Sequence, residues 1–228
     1  MIAFARQARR KGLAGAAWLA AGLLAVQPAA RSAGADETAA GARALYANCA
    51  GCHGDYGQGN AAVGAPNIAG LDAVYIERQL RNFASGVRGD AGDGYGARMR
   101  AALQALPDPG GQRAVAAYVA ALPRAAPVPA AGAPQGNRDA GRNYYNAICS
   151  ACHNGNGRGS PALSAPRLVG TDPRYLLRQL AAFRRGARGA HPDDRYGAQM
   201  RKMVLSLPGP GTEQDIVAYV ATLDGAAP

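Results

Sequence analysis

The chain has 228 residues, 48% of them hydrophobic, with four cysteines and a formal net charge of +10. Half of that excess lies in residues 1–35, which hold five Lys or Arg and no Asp or Glu. The remainder carries 20 basic against 15 acidic residues, or +5. The whole-chain charge thus overstates the basic character, and the remaining basic excess suits docking onto acidic proteins or an anionic membrane surface.

The first 35 residues have the three parts of a secretory signal peptide. A basic start is followed by the almost wholly apolar residues 12–26, and the small residues of 33–35 precede the expected cut. This apolar run of 15 residues is short for a bilayer span, which needs about 20, although an uncleaved anchor is the alternative. We therefore expect a periplasmic protein, and an exported chain rarely meets nucleic acid, so none is expected as a partner.

The rest of the chain is a tandem repeat. The segment YIERQLRNFASGVRG at 75–89 matches YLLRQLAAFRRGARG at 175–189. After one inserted residue, YGARM at 95–99 matches YGAQM at 196–200. An uncharged stretch rich in Ala, Pro and Gly separates the copies and is typical of a semi-rigid linker. The predicted layout is a signal peptide over 1–35, domains over 36–124 and 137–228, and a linker over 125–136.

Both copies are predicted to be helical, because neither contains a run of alternating β-branched residues. Helices are expected over 38–49 and 138–149, leading into the cysteine motifs. Asp72 and Asp172 stand where helix N-caps belong, and Pro173 fits the first helical position.

The last helix is expected to begin with a pair resembling a capping box, Thr212 and Asp215. Its apolar face is predicted from Ile216, Val217, Val220 and Leu223. Each copy has about 90 residues, which gives a small core. A covalent staple or a large apolar ligand is therefore expected to stabilise it.

All four cysteines belong to two copies of one pentapeptide, CAGCH at 49–53 and CSACH at 149–153. C-x-x-C-H is an attachment signal for c-type haem. Two thiols about one helical turn apart can each add to a haem vinyl group, and the histidine that follows supplies an imidazole to the iron. The alternatives are a thiol–disulfide couple, which lacks a thioredoxin-like pattern here, and one zinc site shared by two pairs that sit in separate repeats. We therefore predict two covalently bound haem c groups, held by Cys49, Cys52, His53, Cys149, Cys152 and His153.

The sixth iron ligands are predicted to be methionines. Outside the first 35 residues the first copy contains one methionine, Met99, and its only histidine is His53. In the second copy Met200 shares the YGAxM context, whereas Met203 aligns with an alanine and is expected to pack in the core or beside the residues that bind the haem. His191 lies in the inserted stretch and is expected to be an exposed loop residue. Methionine ligation raises the reduction potential, and a filled sixth position leaves no place for a substrate.

Both copies resemble class I cytochrome c domains, and the tandem arrangement resembles the dihaem cytochrome c4 family. The resemblance implies an all-α fold of two class I domains joined by a short Ala/Pro/Gly linker. It also implies that Pro66 and Pro166 present backbone carbonyls to the ring N–H of the ligating histidines. It places Gly41 and Gly141 where the first and last helices cross.

The resemblance further places Arg88 and Arg188 near the haem propionates, with solvated surface arginines as the alternative reading. It implies a periplasmic electron carrier rather than an enzyme, with no small-molecule substrate. The expected partners are redox proteins, namely a respiratory complex, a terminal oxidase or a dehydrogenase. The alternatives are a catalytic dihaem enzyme, of peroxidase or thiosulfate dehydrogenase type, and a haem subunit of a larger dehydrogenase.

The charge excess of +5 lies entirely in the second half, which holds 12 basic against 7 acidic residues. We therefore expect an acidic partner to dock there. The leading predicted contacts are Arg184, Arg185, Arg188, Arg201 and Lys202. A solvated helix face is the alternative, because a run of charges alone is weak evidence of an interface.

Overall fold

The computed structural model of the chain describes residues 33–90, 92–124 and 134–223. Nearly all of the predicted signal peptide, and residues 125–133 of the predicted linker, lie outside the described residues. Within the described ranges, regular structure is helical, and the only β pairing is two isolated bridges, Asn60 with Ala65 and Ser160 with Ala165. The predicted all-α class is thus confirmed.

Four α-helices are described in the first half of the chain, residues 33–124. They are α1 (Ala33–His53), α2 (Ala73–Ala84), α3 (Gly94–Ala102) and α4 (Pro109–Ala121), with a 3₁₀ turn at Leu103–Ala105. The second half, residues 137–228, repeats this order with a π-helical turn inserted. Its elements are α5 (Arg138–Tyr144), the π turn (Tyr145–Cys149), α6 (Ser150–His153), α7 (Pro173–Arg185), α8 (Arg195–Leu205) and α9 (Pro210–Val220).

The predicted N-caps of the middle helices are confirmed. The Asp72 carboxylate accepts the backbone N–H of Tyr75, and the Asp172 carboxylate accepts the N–H groups of the first turn of α7. Pro173 is the first residue of α7, where its missing N–H costs nothing. The helices that lead into the cysteine motifs extend further than predicted, because they continue through the motifs themselves to His53 and His153.

The predicted capping box of the last helix is wrong. Helix α9 begins at Pro210 after Gly209, with no side-chain cap, so Thr212 already lies inside the helix. The Asp215 carboxylate instead accepts the backbone N–H of Asn137 at 2.7 Å, which fastens the end of the linker to α9. The predicted apolar face is buried at Ile216, Val217 and Val220. Leu223 lies beyond the helix but packs on the same cluster.

Each half has its own apolar core. In the first half the core forms around Tyr46, Leu80, Phe83 and Val119. In the second half the cluster consists of Tyr145, Leu207, Ile216 and Val220. These residues come from the cysteine-bearing segment and from the elements that follow it. Packing of the core therefore holds the end of that segment, which carries the cysteine motif, against the rest of its half.

The close crossing expected of the first and last helices exists in the second half only. A Cβ atom at Gly141 would overlap the backbone carbonyl of Asp215 on α9, so only glycine fits there. At Gly41 an added Cβ would have open space within 4 Å, so that expectation is wrong. In both halves a tyrosine pair still marks where these helices meet, with ring centroids 5.3 Å apart for Tyr46 and Tyr118 and similarly close in the second half.

The two halves contact each other through a reciprocal pair of arginines. Arg78 on α2 donates to the Ser164 carbonyl at 2.9 Å, and Arg178 on α7 donates to the Gly64 carbonyl at 2.8 Å. Each guanidinium also lies over a tyrosine ring of the other half, Arg78 at 4.4 Å from Tyr196 and Arg178 at 4.5 Å from the Tyr95 centroid. Guanidinium–aromatic contacts of this kind are attractive. The equivalent arginine of each repeat therefore helps to hold the two halves together.

None of the described helices is both long enough and apolar enough to cross a lipid bilayer.

Candidate functional site

The first cysteine–histidine motif occupies the C-terminal turn of α1, and the second runs from the last residue of the π turn through α6. A tyrosine earlier in the same helical segment fixes each position: the Tyr46 hydroxyl donates to the Gly54 carbonyl at 2.6 Å, and Tyr145 does the same to Asn154. The residue after each histidine then takes a left-handed conformation, with φ 80° at Gly54 and 61° at Asn154. Glycine adopts this region freely, and asparagine tolerates it better than most residues.

Both histidine rings are buried and held by one hydrogen bond. His53 is 7% exposed and its Nδ1 lies 2.9 Å from the Pro66 carbonyl oxygen. His153 is 6% exposed and its Nδ1 lies 2.8 Å from the Pro166 carbonyl. A carbonyl only accepts, so each Nδ1 carries the proton and each Nε2 keeps its lone pair for a metal. The expected proline partners are thereby confirmed.

Burial lowers the pKa of both ring systems, and the hydrogen bond to the proline carbonyl partly opposes this effect. At neutral pH the imidazoles are therefore neutral, which is the form that binds iron.

Glycine lets the backbone of each proline-bearing loop approach itself closely. A Cβ at Gly59 would lie 2.6 Å from the backbone nitrogen of Asn67. The same approach recurs at Gly159, so the two loops share one conformation.

The thiols lie beside these rings, and the two of each motif differ in exposure. Cys49 and Cys149 are partly buried, whereas Cys52 and Cys152 are exposed, and none of the four forms a disulfide. Burial, with a smaller contribution from Cys152, raises the pKa of the Cys149 thiol to about 11. The residues fit a covalent haem, because each motif offers two free thiols and one oriented imidazole within five consecutive residues. Among the described residues, no three His, Cys, Asp or Glu side chains converge on a common point, which weighs against a shared zinc ion.

The predicted sixth ligands lie on α3 and α8. Met99 is partly buried and packs against the core cluster of the first half, together with Cys49 and Ile68. Met200 is also partly buried, whereas Met203 is 44% exposed. The expected core role of Met203 is therefore wrong, because its side chain projects from α8 into solvent. Burial favours Met200 over Met203 as the ligand, and the assignment of Met99 and Met200 stays a prediction.

His191 lies in the turn before α8 and is exposed, as expected. Its Nδ1 accepts the backbone N–H of Asp193 at 3.2 Å.

Arg88 and Arg188 are not the solvated surface arginines of the alternative reading. They are 6% and 8% exposed and meet between the halves, where the side-chain oxygens of Gln79 and Gln179 each accept from both guanidinium groups. Among the described residues, no carboxylate oxygen lies within 4.0 Å of either guanidinium group. Both Nε–H groups are buried without a partner. Two buried cations with spare donors fit the propionate groups of a haem.

The contacts between the halves that the glutamines and arginines make were not predicted from the sequence, although the repeat contains a signal for them. Arg-Gln-Leu occurs at the same place in both repeats, at 78–80 and 178–180. The shared Arg and Gln each reach across to the other half. A polar pair repeated on an otherwise divergent helix thus marked an interface.

The predicted docking surface of the second half needs a correction. Arg184 is bound to the buried Glu213 at 2.6 Å, and Arg188 lies in the buried network between the halves, so neither is available to a partner. Arg201 is partly buried, and Arg185 and Lys202 are exposed. Two of the five predicted contacts are therefore committed to partners within the chain, and Arg185 and Lys202 stay exposed.

The sequence profile of the cytochrome c family matches the chain twice, over residues 38–123 and 139–224. This chain belongs to the cytochrome c family. Two matched domains with one CxxCH motif each give the cytochrome two covalently bound haem c groups.

Two curated relatives cover most of this cytochrome. One is a thiosulfate dehydrogenase electron acceptor from Stutzerimonas stutzeri, 36% identical over 197 residues, which span 82% of this chain and 86% of the relative. The other is a cytochrome c4 from Azotobacter vinelandii, 28% identical over 195 residues, which span 82% and 88%. The cytochrome is therefore a dihaem protein of the c4 type.

Among solved structures, a thiosulfate dehydrogenase from Marichromatium purpuratum resembles this cytochrome with a TM-score of 0.66 and 29% identity. The similarity covers 83% of this chain and 41% of that chain. A unit similar to this cytochrome therefore forms part of the longer thiosulfate dehydrogenase chain.

Proposed function

We propose that this cytochrome is a periplasmic carrier of single electrons between redox proteins and catalyses no reaction of its own. The observation that carries the proposal is the matched pair of ligand sets: each half offers one oriented, buried histidine and one partly buried methionine. If each haem iron is bound by both of these residues, no coordination position would stay open for a substrate. Periplasmic location is supported by the signal-peptide pattern of residues 1–35.

The chain's contribution to electron transfer is to bind, orient and insulate the cofactor. When bound, haem supplies a one-electron iron couple. The proline carbonyls hold the imidazoles in one tautomer, and the thioether sulfurs favour the reduced state. The core residues around Tyr46 and Tyr145 exclude water, since both tyrosine side chains are 2% exposed or less. Arg88 and Arg188 bring positive charge into the region between the halves.

A dehydrogenase that oxidises a sulfur compound is the donor that the comparisons favour. The relative from Stutzerimonas stutzeri is named as the electron acceptor of thiosulfate dehydrogenase. We propose that this cytochrome receives electrons from an enzyme of that kind and passes them to a respiratory complex or terminal oxidase. Two haems in one chain allow one half to accept an electron while the other donates.

A second candidate is a haem subunit fixed to a larger dehydrogenase. It is favoured by the thiosulfate dehydrogenase structure, in which the unit similar to this cytochrome makes up 41% of a longer chain. Purification from the native host without crosslinking separates the two cases, because a fixed subunit remains with its enzyme through size exclusion and a free carrier does not.

Carbon monoxide distinguishes a carrier from a catalytic dihaem enzyme. We expect the visible spectrum of the reduced holoprotein to stay unchanged on addition of carbon monoxide at neutral pH, because Met99 and Met200 occupy the sixth positions. The Met99→Ala variant is the matched control, since removing the thioether opens one position to the gas. A large shift of the main absorption band in the unmodified protein would contradict the carrier function.

A further inference from the structure

A cleft of about 490 Å³ lies between the N-terminal turn of α3 and the outer face of α7, so both halves of the chain line it. None of the cysteines, histidines or methionines of the haem sites is among its lining residues. The cleft is therefore separate from the cysteine, histidine and methionine side chains of the haem sites, and Gln179 lies between it and the arginine network that joins the halves.

Three arginines define the chemistry of the cleft. Arg98, from the first half, and Arg178, from the second, both lie 4.5 Å from the centroid of the Tyr95 ring. Arg185 donates to the Gly92 carbonyl at 3.4 Å across the junction. The ring and the carbonyl contact these guanidinium groups at the cleft without neutralising their charge.

These positive charges lack counter-charges. In the described ranges no carboxylate comes within 4.0 Å of any of the three guanidinium groups. The Nε–H of Arg178 is buried with no acceptor. One carboxylate, that of Asp93, also lines the cleft, and its Oδ1 accepts the Gly96 N–H at 3.1 Å. Three cations against one anion leave a local charge of about +2, which a dianion balances.

The pseudo-symmetric position on the other side of the junction lacks this cluster. There Gln199 stands in place of Arg98 and Ser85 in place of Arg185. The fold of the repeat therefore does not require arginine at these two positions. The clustering belongs to one side of the molecule and needs its own explanation.

We propose that this cleft binds a small doubly charged oxyanion, of the class of sulfate, thiosulfate and phosphate, between Arg98, Arg178 and Arg185. Guanidinium groups suit such an anion, because their planar forks donate paired hydrogen bonds to its oxygens. The anion joins an arginine of the first half to two of the second, so its binding stabilises the contact between the halves. The site is independent of the electron-carrier function.

The test uses the intact holoprotein and isothermal titration calorimetry with sodium sulfate, thiosulfate or phosphate, at an ionic strength held constant with sodium chloride. We expect saturable 1:1 binding and a rise in the thermal unfolding temperature. The variant Arg98→Gln/Arg185→Ser, which copies the opposite side, is expected to bind about tenfold more weakly or worse. The control Arg43→Ser/Arg113→Gln removes the same charge from exposed positions on α1 and α4, and it should bind as the unmodified protein does.

Stronger binding of thiosulfate than of sulfate assigns the site to sulfur chemistry, and equal binding of all three dianions assigns it to oxyanions in general; both support the proposal. Absence of saturable binding overturns it, as happens if a haem propionate already fills the cleft. Equal loss of binding in the variant and in its charge-matched control also overturns it, because the effect is then one of net charge. Haem content and the carbon monoxide result are unaffected by either failure, so they report separately on the proposed function.

Discussion

Replacing Met99 or Met200 with alanine is expected to abolish about half of the weak far-red absorption that reports a bond between ferric iron and a thioether sulfur. Each half of the chain has one such methionine in a partly buried position, so each substitution removes one of two equal contributions. The same change lowers the midpoint potential of one haem by on the order of 0.1–0.3 V, because thioether ligation stabilises the reduced iron. Absorption spectroscopy and a potentiometric titration of the holoprotein measure both effects.

Met203→Ala is the matched control for this experiment. Met203 lies three residues after Met200 on the same helix, and its side chain is 44% exposed. Its loss is expected to leave the far-red band and both potentials unchanged. Loss of the band in Met203→Ala and its retention in Met200→Ala would show that the alignment of the repeats around the inserted residue is wrong.

Arg184→Ala is expected to lower the free energy of unfolding of the second half by about 2–3 kcal/mol. The substitution leaves the Glu213 carboxylate, which is 3% exposed, buried without its partner at 2.6 Å. It also removes a donor to the Val204 carbonyl, which Arg184 reaches at 3.1 Å. Denaturant unfolding of the holoprotein measures the loss. The exposed Arg142→Ala is the comparison, with an expected change below about 0.5 kcal/mol.

In the first half of the chain, the positions that correspond to Arg184 and Glu213 hold uncharged residues. Gln112 replaces Glu213 there, Ala84 replaces Arg184, and the Gln112 amide donates to the Leu106 carbonyl at 3.1 Å. The double variant Arg184→Ala/Glu213→Gln copies this arrangement in the second half, and it is expected to recover most of the stability lost in Arg184→Ala. A double variant as unstable as the single one would show that packing of the arginine, and not an unpaired carboxylate, causes the loss.

The haem sites were predictable from the sequence because their chemistry is local. Two thiols and an imidazole within five consecutive residues need only a helical turn to face one cofactor, and α1 and α6 supply it. The methionine ligands are predicted by elimination and by the repeat, which aligns Met99 with Met200. The N-caps at Asp72 and Asp172 were equally local, since each carboxylate binds backbone within three residues.

Several of the errors concern residues whose partners lie far away in the chain. Arg184 read as a surface charge because Glu213, its partner, is 29 residues distant. Asp215 read as part of a helix cap, but it binds Asn137, 78 residues earlier. Arg88 and Arg188 became buried because the two halves pack against each other. Periodicity and capping rules describe neighbours in sequence, so they give no information on such contacts.

The intact mass of the protein after acid–acetone extraction tests the central claim most directly. Expression in a host with a c-type maturation system should yield the chain cleaved near residues 33–35 with two haem masses added, because each CxxCH motif forms two thioether bonds. Cys52→Ala and Cys152→Ala should each leave one haem on two covalent bonds and weaken the other. A chain of the unmodified sequence that carries one haem, or that releases its haem into the solvent, would contradict the account.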